Sequence, residues 1–192
     1  MRWQQLNLPL IAVSVLAGVA FLFSAQVLYN KYTWQEPLKI YFDSNTAISS
    51  YRIENNRGYC DIYIEVYPQA NLASVYKEVK QKAGKILANK KKFNIYLVDS
   101  RDELLKEIWY NCQYSVYQAQ QCGTYQDMAK VVGYEAAVNG VEAKIFIDND
   151  YIYLRLRKGD RTLDEIIPRL GNNNSTAVQG HMYGSGAGVQ RS

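Results

Sequence analysis

The first apolar run of the chain is the feature that most constrains its organisation. From Leu8 to Leu28 the sequence reads LPLIAVSVLAGVAFLFSAQVL and contains no charged residue. At about 1.5 Å per residue, a helix of this length spans about 31 Å, close to the hydrocarbon thickness of a bilayer. No polar stripe interrupts the run, which argues against a buried amphipathic helix. The sequence therefore predicts a transmembrane segment at 8–28 that anchors the rest of the chain to a membrane.

This segment has two alternative interpretations, an uncleaved signal-anchor and a cleaved signal peptide. A cleavage site needs small residues at positions −3 and −1, and the best candidate, Phe23-Ser24-Ala25, has a large residue at −3. We therefore favour the signal-anchor. Arg2 precedes the helix and Lys31 and Lys39 follow it, so the flanking charges give no strong bias. The short lead at 1–7 favours a cytoplasmic amino terminus and an extracytoplasmic domain.

The remaining residues predict one folded domain between two short flanking segments. A polar and aromatic neck is predicted at 29–38, the domain at 39–170, and a disordered tail at 171–192, which is rich in Gly and Asn. The single histidine, His181, lies in this tail. Asp148-Asn149-Asp150 lacks the rest of a calcium loop and is interpreted as a turn. We predict no catalytic residue, no cofactor and no metal site.

The first half of the domain shows strand patterns around one helix. Strands are predicted at 39–43, 50–54 and 59–66, the last two joined by the turn formers at 55–58. Cys60, Ile62, Ile64 and Val66 alternate with polar or aromatic residues, as in a half-buried strand. Asn71 is a predicted N-cap for the first helix of the domain. Phe93–Val98, apolar on both sides, is predicted to lie centrally in the sheet.

The second half of the domain combines a helix with β-like segments. Ser100 and Glu103 fit a capping box that starts a helix ending near Gln120. Asn139-Gly140 favours a hairpin, so we interpret 131–138, 141–148 and 151–157 as a three-strand meander. Thr162 and Glu165 fit a second capping box and predict a short final helix. The fold class is α+β, with a mixed sheet that includes the meander and packs against two main helices.

A run of lysines is the first candidate binding feature. Residues 71–92 contain seven Lys and one Glu. Positive charge on one face attracts anionic lipid or an anionic wall polymer. The alternative is a solvated helix face with cations near its carboxyl end. Nucleic acid is not an expected partner of an anchored outer domain. The candidate contacts are Lys77, Lys80, Lys82, Lys85, Lys90, Lys91 and Lys92.

A row of tyrosines and arginines is the second candidate. Residues two apart on a strand share a face, and Tyr and Arg are enriched at interface hot spots. The predicted interaction face consists of Tyr151, Tyr153, Arg155 and Arg157 on one strand, with Tyr59 and Tyr63 on an earlier one. The alternative is a solvent-facing row of good strand formers.

The three cysteines do not form a complete disulfide framework. Cys112 and Cys122 are a candidate disulfide that would close a short loop in an oxidising compartment. The alternative places Cys112 on the apolar stripe of its helix and leaves Cys122 as a free thiol. Cys60 alternates with apolar residues and is predicted to be buried and inert.

One stretch resembles a known enzyme family. The segments FNIYLVDSRDELLKE and VVGYEAAVNG, followed by a short Thr-Leu helix, resemble the region before the active helix of gluzincin-type metallopeptidases. That family carries H-E-x-x-H on the active helix, with His ligands for zinc. Here the helix would read TLDEIIPR, without either His and with Pro168 inside it. The resemblance implies a scaffold that lacks the peptidase activity.

These observations lead to three functional hypotheses. The first is a membrane-anchored, non-enzymatic interaction domain that belongs to a protein complex of the cell envelope. The second is a module that binds cell-wall glycan or an anionic polymer. The third is an enzyme that acts through carboxylates or a thiol, and the catalytically inactive metallopeptidase-like scaffold that the resemblance implies is a further alternative.

Overall fold

The computed structural model describes residues 8–56, 58–88 and 91–169, and the chain divides into the units Met1–Ser44 and Asn45–Ser192. The predicted lead at 1–7 and tail at 171–192 lie outside the described residues, as do Lys90 and His181. Within the described residues the protein is α+β, as the sequence predicts.

The first unit is helical throughout its described part. Helix α1, Leu8–Asn30, continues through a π-helical segment, Lys31–Gln35, into helix α2, Glu36–Ser44. By length and composition, this helix is apolar enough to cross a membrane. The predicted strand at 39–43 is wrong, because these residues lie in α2, and the segment 29–38, predicted as a neck, is also helical. Leu38 and Phe42, four residues apart, are buried, whereas Ile40 is exposed, and this spacing is helical.

The first sheet of the second unit has three strands in the order β1-β2-β3. Strands β1, Ile48–Asn56, and β2, Tyr59–Val66, form the predicted antiparallel hairpin. Helix α3, Leu72–Leu87, then connects β2 to the parallel strand β3, Lys92–Leu97. The predicted cap is confirmed, because the Asn71 side chain accepts a hydrogen bond from the Ser74 amide at 3.0 Å. Strand β3 lies at the edge of this sheet, so its predicted central position is wrong.

Helix α4, Glu103–Cys122, begins with a different cap from the one predicted. Asp102 is the N-cap, and its carboxylate accepts a hydrogen bond from the Leu105 amide at 2.9 Å. The Ser100 hydroxyl instead donates to the Asp160 carbonyl at 3.2 Å and accepts from the Thr162 amide at 3.1 Å. Ser100 thus connects the start of this region to a distant turn, a contact that local spacing cannot indicate.

Residues 131–138 form a helix, so the predicted first strand of the meander is wrong. Helix α5, Tyr125–Val138, ends at Asn139-Gly140. The Gly140 amide donates to the Ala137 carbonyl at 3.1 Å and the Val141 amide to the Ala136 carbonyl at 2.9 Å. This is a Schellman motif, which favours glycine at the residue with positive φ, here 65° for Gly140. Asn-Gly suits a helix end as well as a hairpin turn, which explains the error.

The meander exists, but it is shifted by one strand. It comprises β4, Glu142–Ile147, β5, Tyr151–Lys158, and β6, Arg161–Pro168, all antiparallel. The predicted turn at Asn149-Asp150 joins β4 to β5. The predicted final helix, with Thr162 and Glu165 as its capping box, is wrong, because residues 161–168 pair with β5 and complete the sheet. The two sheets are separate, so the single mixed sheet of the prediction is also wrong.

Both faces of strand β5 are covered, which determines where the candidate site lies. Ile152, Leu154 and Leu156 join a core built with α4 and α5. On the opposite face, the ring of Tyr76 from α3 meets the rings of Tyr151 and Tyr153 edge-on, with centroids 5.5 and 6.1 Å away. Helix α3 therefore lies against the start of β5.

Candidate functional site: a lysine–tyrosine cleft and an exposed helical face

The structure brings the lysine run and the tyrosine row together at one open cleft of about 520 Å³. One wall is a single face of α3, and the other is the β4–β5 turn with the start of β5. We call this the lysine–tyrosine cleft. Its lining residues are Tyr76, Lys77, Lys80, Gln81, Gly84, Lys85, Ala88, Asp148, Asp150, Tyr151 and Tyr153.

Helical spacing explains the first wall. Residues 77, 80, 81, 84, 85 and 88 are separated by three or four positions and therefore share one face of α3. The neighbouring face, with Val75, Val79 and Ala83, is buried. Gly84 and Ala88 add little bulk, which keeps this part of the wall open.

Two lysines make direct contacts across the cleft. Lys80 Nζ donates to the Tyr151 hydroxyl at 2.7 Å and lies 4.7 Å from the centroid of the same ring. Lys77 Nζ forms an ion pair with Asp148 Oδ2 at 2.9 Å. Lys85 is exposed, and in the part of the chain that the structure describes it has no ion-pair partner. The cleft thus contains one neutralised lysine and two whose charges no carboxylate contacts in the described ranges.

Asp148 organises the turn that forms the second wall. Burial by itself raises the pKa of Asp148, but hydrogen bonds from Lys77, the Tyr151 and Asp150 amides and the Tyr153 hydroxyl outweigh it, so the pKa lies below its ordinary value. The Tyr153 hydroxyl donates to Asp148 Oδ2 at 3.0 Å. Burial, followed by this bond, raises the pKa of Tyr153. Asp148 is therefore a fixed carboxylate anion and a weak base.

Three other lysines of the run, Lys82, Lys91 and Lys92, do not line the cleft. Lys82 and Lys92 are exposed, and Lys91 donates to the side chain of Asn55. The run therefore does not act as one continuous charged face among the described residues. Sequence position alone could not separate the lysines that line the cleft from those on the outer surface.

The predicted Tyr/Arg interaction face is mostly inside the protein. Tyr151 and Tyr153 are each 2% exposed and Arg155 is 3% exposed, which is a correction to the prediction. The alternation is as predicted, but α3 and the β2–α3 loop cover the face. Arg157 is partly exposed and pairs with Glu142 at 2.8 Å.

On the first sheet, Tyr63 is also buried, and its ring stacks on Tyr96 with centroids 4.9 Å apart. Tyr59 is 44% exposed. Of the six predicted face residues, Tyr59 and Arg157 alone keep appreciable exposure, and they lie on different sheets. The six therefore do not form one surface.

Arg155 can be buried because the N–H groups of its guanidinium have hydrogen-bond acceptors inside the protein. Its Nε and Nη2 each donate to a carboxylate oxygen of Asp164 at 2.6 Å. Its Nη1 donates to the carbonyls of Tyr67, Pro68 and Ala70 at 3.0, 3.2 and 2.8 Å. Arg155 therefore connects the second sheet to the β2–α3 loop, which is a structural role.

A second surface was missed by the sequence analysis. Helices α4 and α5 pack side by side, with Asn111 Nδ2 donating to Glu135 at 3.1 Å. Their outward faces expose six large apolar or aromatic side chains to between 47% and 72%. We call this set the outer face of α4–α5. It comprises Tyr110, Tyr114, Tyr117, Val131, Tyr134 and Val138.

The signal for this face was present in the spacing. Tyr110, Tyr114 and Tyr117 are four and three residues apart on α4, and the rings of Tyr110 and Tyr114 are in edge contact at 6.1 Å. Val131, Tyr134 and Val138 repeat a similar spacing on α5. The interpretation of 131–138 as a strand concealed this second stripe.

The predicted disulfide between Cys112 and Cys122 is absent, and all three cysteines are free. Both residues lie on α4, and ten residues of helix separate them by about 15 Å, whereas a disulfide needs Cα atoms within about 7 Å. Cys112 is buried on the apolar stripe, which was the alternative interpretation, and Cys60 is buried as predicted.

Thiol reactivity should follow this burial. Burial raises the pKa of Cys60 and of Cys112 to about 11, whereas Cys122 is exposed. We expect Ellman's reagent to modify Cys122 within seconds in the native protein and the other two only after unfolding. Cys122→Ser should remove the fast phase. Two fast thiols in the native protein would contradict the structure.

The metallopeptidase-like interpretation does not agree with the fold. The segment 162–168, which corresponds to the active helix in that resemblance, is strand β6. Across residues 8–56, 58–88 and 91–169, no three His, Cys, Asp or Glu side chains come together in a group that could bind a metal ion.

No protein-family model matches this chain, and no curated protein or solved structure matches it. The functional proposals therefore rest on the geometry of the cleft and of the outer face of α4–α5.

Proposed function

We propose that this chain is a single-pass, membrane-anchored interaction domain that acts by binding and not by catalysis. In this proposal α1 is an uncleaved signal-anchor, the amino terminus is cytoplasmic, and the second unit works outside the cytoplasm as part of an envelope complex. The observation that carries the interaction role is the outer face of α4–α5. The pKa of Asp148 lies below its ordinary value, and this supports a non-catalytic cleft, because lowering the pKa of a carboxylate makes it a less efficient general base.

The composition of α5 supports a covered helix. Met128, Val132 and Ala136 fill its buried face, whereas Val131 and Tyr134 extend apolar character to the exposed side. Helices that are apolar nearly all round are normally buried. The charges on α5 are few, and Asp127 and Lys130 pair with each other at 3.2 Å. Few charged side chains on α5 would therefore lose their hydration when a partner binds, so the desolvation cost of docking is small.

The size of the face supports a stable contact. A fully buried aromatic side chain removes about 150–250 Å² from water. The exposed parts of the four tyrosines therefore amount to about 500 Å² before the valines are added. A standard interface buries about 800 Å² on each partner. The face approaches that size, and apolar patches of about 300–600 Å² are often functional.

We propose that the partner bound at the outer face of α4–α5 is a second copy of the chain. The aromatic and aliphatic side chains of this face can pack against the same side chains of a second copy, because edge-to-face and offset contacts between two aromatic rings are favourable. A two-fold axis across the face would bring two α4–α5 hairpins together as one four-helix layer. Anchoring in the same membrane favours this pairing, because tethered copies meet at a raised effective concentration. The dimer is then the proposed unit of the envelope complex.

Sedimentation of the full-length chain in nonionic detergent tests this proposal. The wild type should be a dimer, and Tyr114→Ser with Tyr134→Ser should be a monomer. Truncating one hot-spot tyrosine costs about 2 kcal/mol, and each change occurs in both protomers of a two-fold dimer, so association should weaken by at least about 1,000-fold.

The matched control is Tyr59→Ser with Tyr67→Ser, two exposed tyrosines outside the face. This variant should remain dimeric. A monomeric wild type excludes a second copy as the occupant. A dimer that survives the Tyr114 and Tyr134 changes would show association through another surface, such as α1, and would also reject the proposal.

A further inference from the structure

The lysine–tyrosine cleft has the features of a binding site that the dimer does not use. Lys80 and Lys85 place two ammonium groups along the same wall, and within the described chain neither has a carboxylate contact. Concave sites with a few convergent polar groups and volumes of about 300–1,000 Å³ are typical of small-ligand pockets. The cleft, at about 520 Å³, lies in this range.

The charge distribution in the cleft selects among anions. Asp148 and Asp150 line the same cleft as the lysines, so it is not uniformly positive. A dense polyanion would place some of its charge against these carboxylates. A single phosphate group on Lys80 and Lys85, followed by a neutral, hydroxyl-bearing part, avoids this repulsion.

The rest of the lining suits that neutral part. Gln81 is exposed and carries an amide that can both donate and accept hydrogen bonds. The rings of Tyr76 and Tyr151 supply an apolar wall. Gly84 leaves space, because a Cβ built there meets nothing closer than the Phe93 ring at 3.9 Å.

We propose that this cleft binds a phosphate group carried by a sugar or polyol. Lys80 and Lys85 bind the phosphate oxygens, and the Gln81 amide binds a hydroxyl. The chemistry is shared by a free sugar phosphate and by a phosphate-linked sugar unit of a wall polymer. The site is independent of the dimer, because none of its residues belongs to the outer face of α4–α5.

Calorimetric titration of the full-length chain in nonionic detergent tests the site with three probes, glucose 6-phosphate, glucose and inorganic phosphate. Glucose 6-phosphate should bind at least about tenfold more tightly than either of the others, since it alone engages both parts of the site. Lys80→Gln with Lys85→Gln should weaken its binding on the order of 100-fold.

Two matched variants separate a site from diffuse attraction. Lys82→Gln with Lys92→Gln removes the same charge from exposed positions outside the cleft and should change the affinity by less than about twofold. Ala88→Phe fills the cleft without changing its charge and should weaken binding as strongly as the Lys80 and Lys85 pair. Because Lys80 contacts Tyr151, Lys85→Gln alone is measured as well and should weaken binding about tenfold.

The outcomes are distinguishable. The site would be rejected, in favour of general polyanion attraction, if the Lys80/Lys85 and Lys82/Lys92 double variants lost equal affinity for glucose 6-phosphate. Tighter binding of linear polyphosphate than of glucose 6-phosphate would reject it in the same way. Binding to phosphatidylglycerol vesicles that depends on Lys82 and Lys92 would assign the lysines to a lipid surface and reject the site. Preference for an oligomer of phosphate-linked glycerol over glycerol 3-phosphate, abolished by Ala88→Phe, would support the site and identify the wall polymer as the source.

Discussion

Arg155→Met is expected to lower the free energy of unfolding of the second unit by about 3–5 kcal/mol. The side chain of Arg155 is 3% exposed and that of Asp164 is 2% exposed. Removing the guanidinium leaves the Asp164 carboxylate and three backbone carbonyls of the β2–α3 loop without their donor. Burial raises the pKa of Asp164, although Arg155 opposes this effect. Without Arg155 the carboxyl would take up a proton more readily, and this would recover part of the lost free energy of unfolding.

Urea unfolding of the full-length chain, followed by circular dichroism in nonionic detergent, measures this effect. Arg157→Met is the matched control, because Arg157 pairs with Glu142 at a partly exposed position and should contribute less than about 1 kcal/mol. Adding Asp164→Leu to Arg155→Met should recover part of the stability, since the orphaned carboxyl is gone. A loss below about 1 kcal/mol from Arg155→Met would show that the buried network is not formed.

Leu16→Arg with Val19→Arg is expected to release the full-length chain from membranes. Helix α1 contains five Leu, one Ile, four Val and two Phe. At about −0.4 kcal/mol each, these twelve residues favour insertion by about 5 kcal/mol, and each central Arg opposes it by about 3 kcal/mol. Two arginines therefore cancel the insertion free energy of the segment.

Alkaline extraction of membranes followed by immunodetection measures this partition. The wild type should remain in the membrane pellet, and the double variant should move to the supernatant. Leu16→Ala with Val19→Ala is the control and should remain in the pellet, since alanine is nearly neutral on the same scale. A wild-type chain that is extracted, or found as a shortened soluble form, would contradict the signal-anchor and favour the cleaved signal peptide.

Local patterns predicted the elements whose signals are long or repeated. Helices α3 and α4 each carry several turns of consistent apolar spacing, and the hairpin β1–β2 combines alternation with a cluster of turn formers. The errors fall on short segments with ambiguous patterns. Residues 131–138 and 162–168 are so short that their apolar spacing fits both the helical and the strand period. The dipeptide Asn139-Gly140 is common both in hairpin turns and at helix ends.

The candidate sites were only partly predictable for a related reason. The sequence indicated the lysines and the tyrosines of β5 as separate features, but it could not show that α3 crosses the start of β5. Alternation assigned Tyr153 and Arg155 to one side of the strand correctly. Whether that side faces water depends on another element, Tyr76 of α3 and the loop after β2, which is far away in sequence.

The sequence by itself determined the apolar amino-terminal helix, the α+β class, the β1–β2 hairpin and the faces of α3 and α4. These depend on hydrophobic length, periodicity and caps, which act within a few residues of each other. The tertiary structure decided that 162–168 is a strand, that Arg155 is buried, and that three lysines of the run share a cleft with Tyr151. Such outcomes depend on long-range pairing and burial, whose free energies exceed local propensities of a few tenths of a kcal/mol per residue.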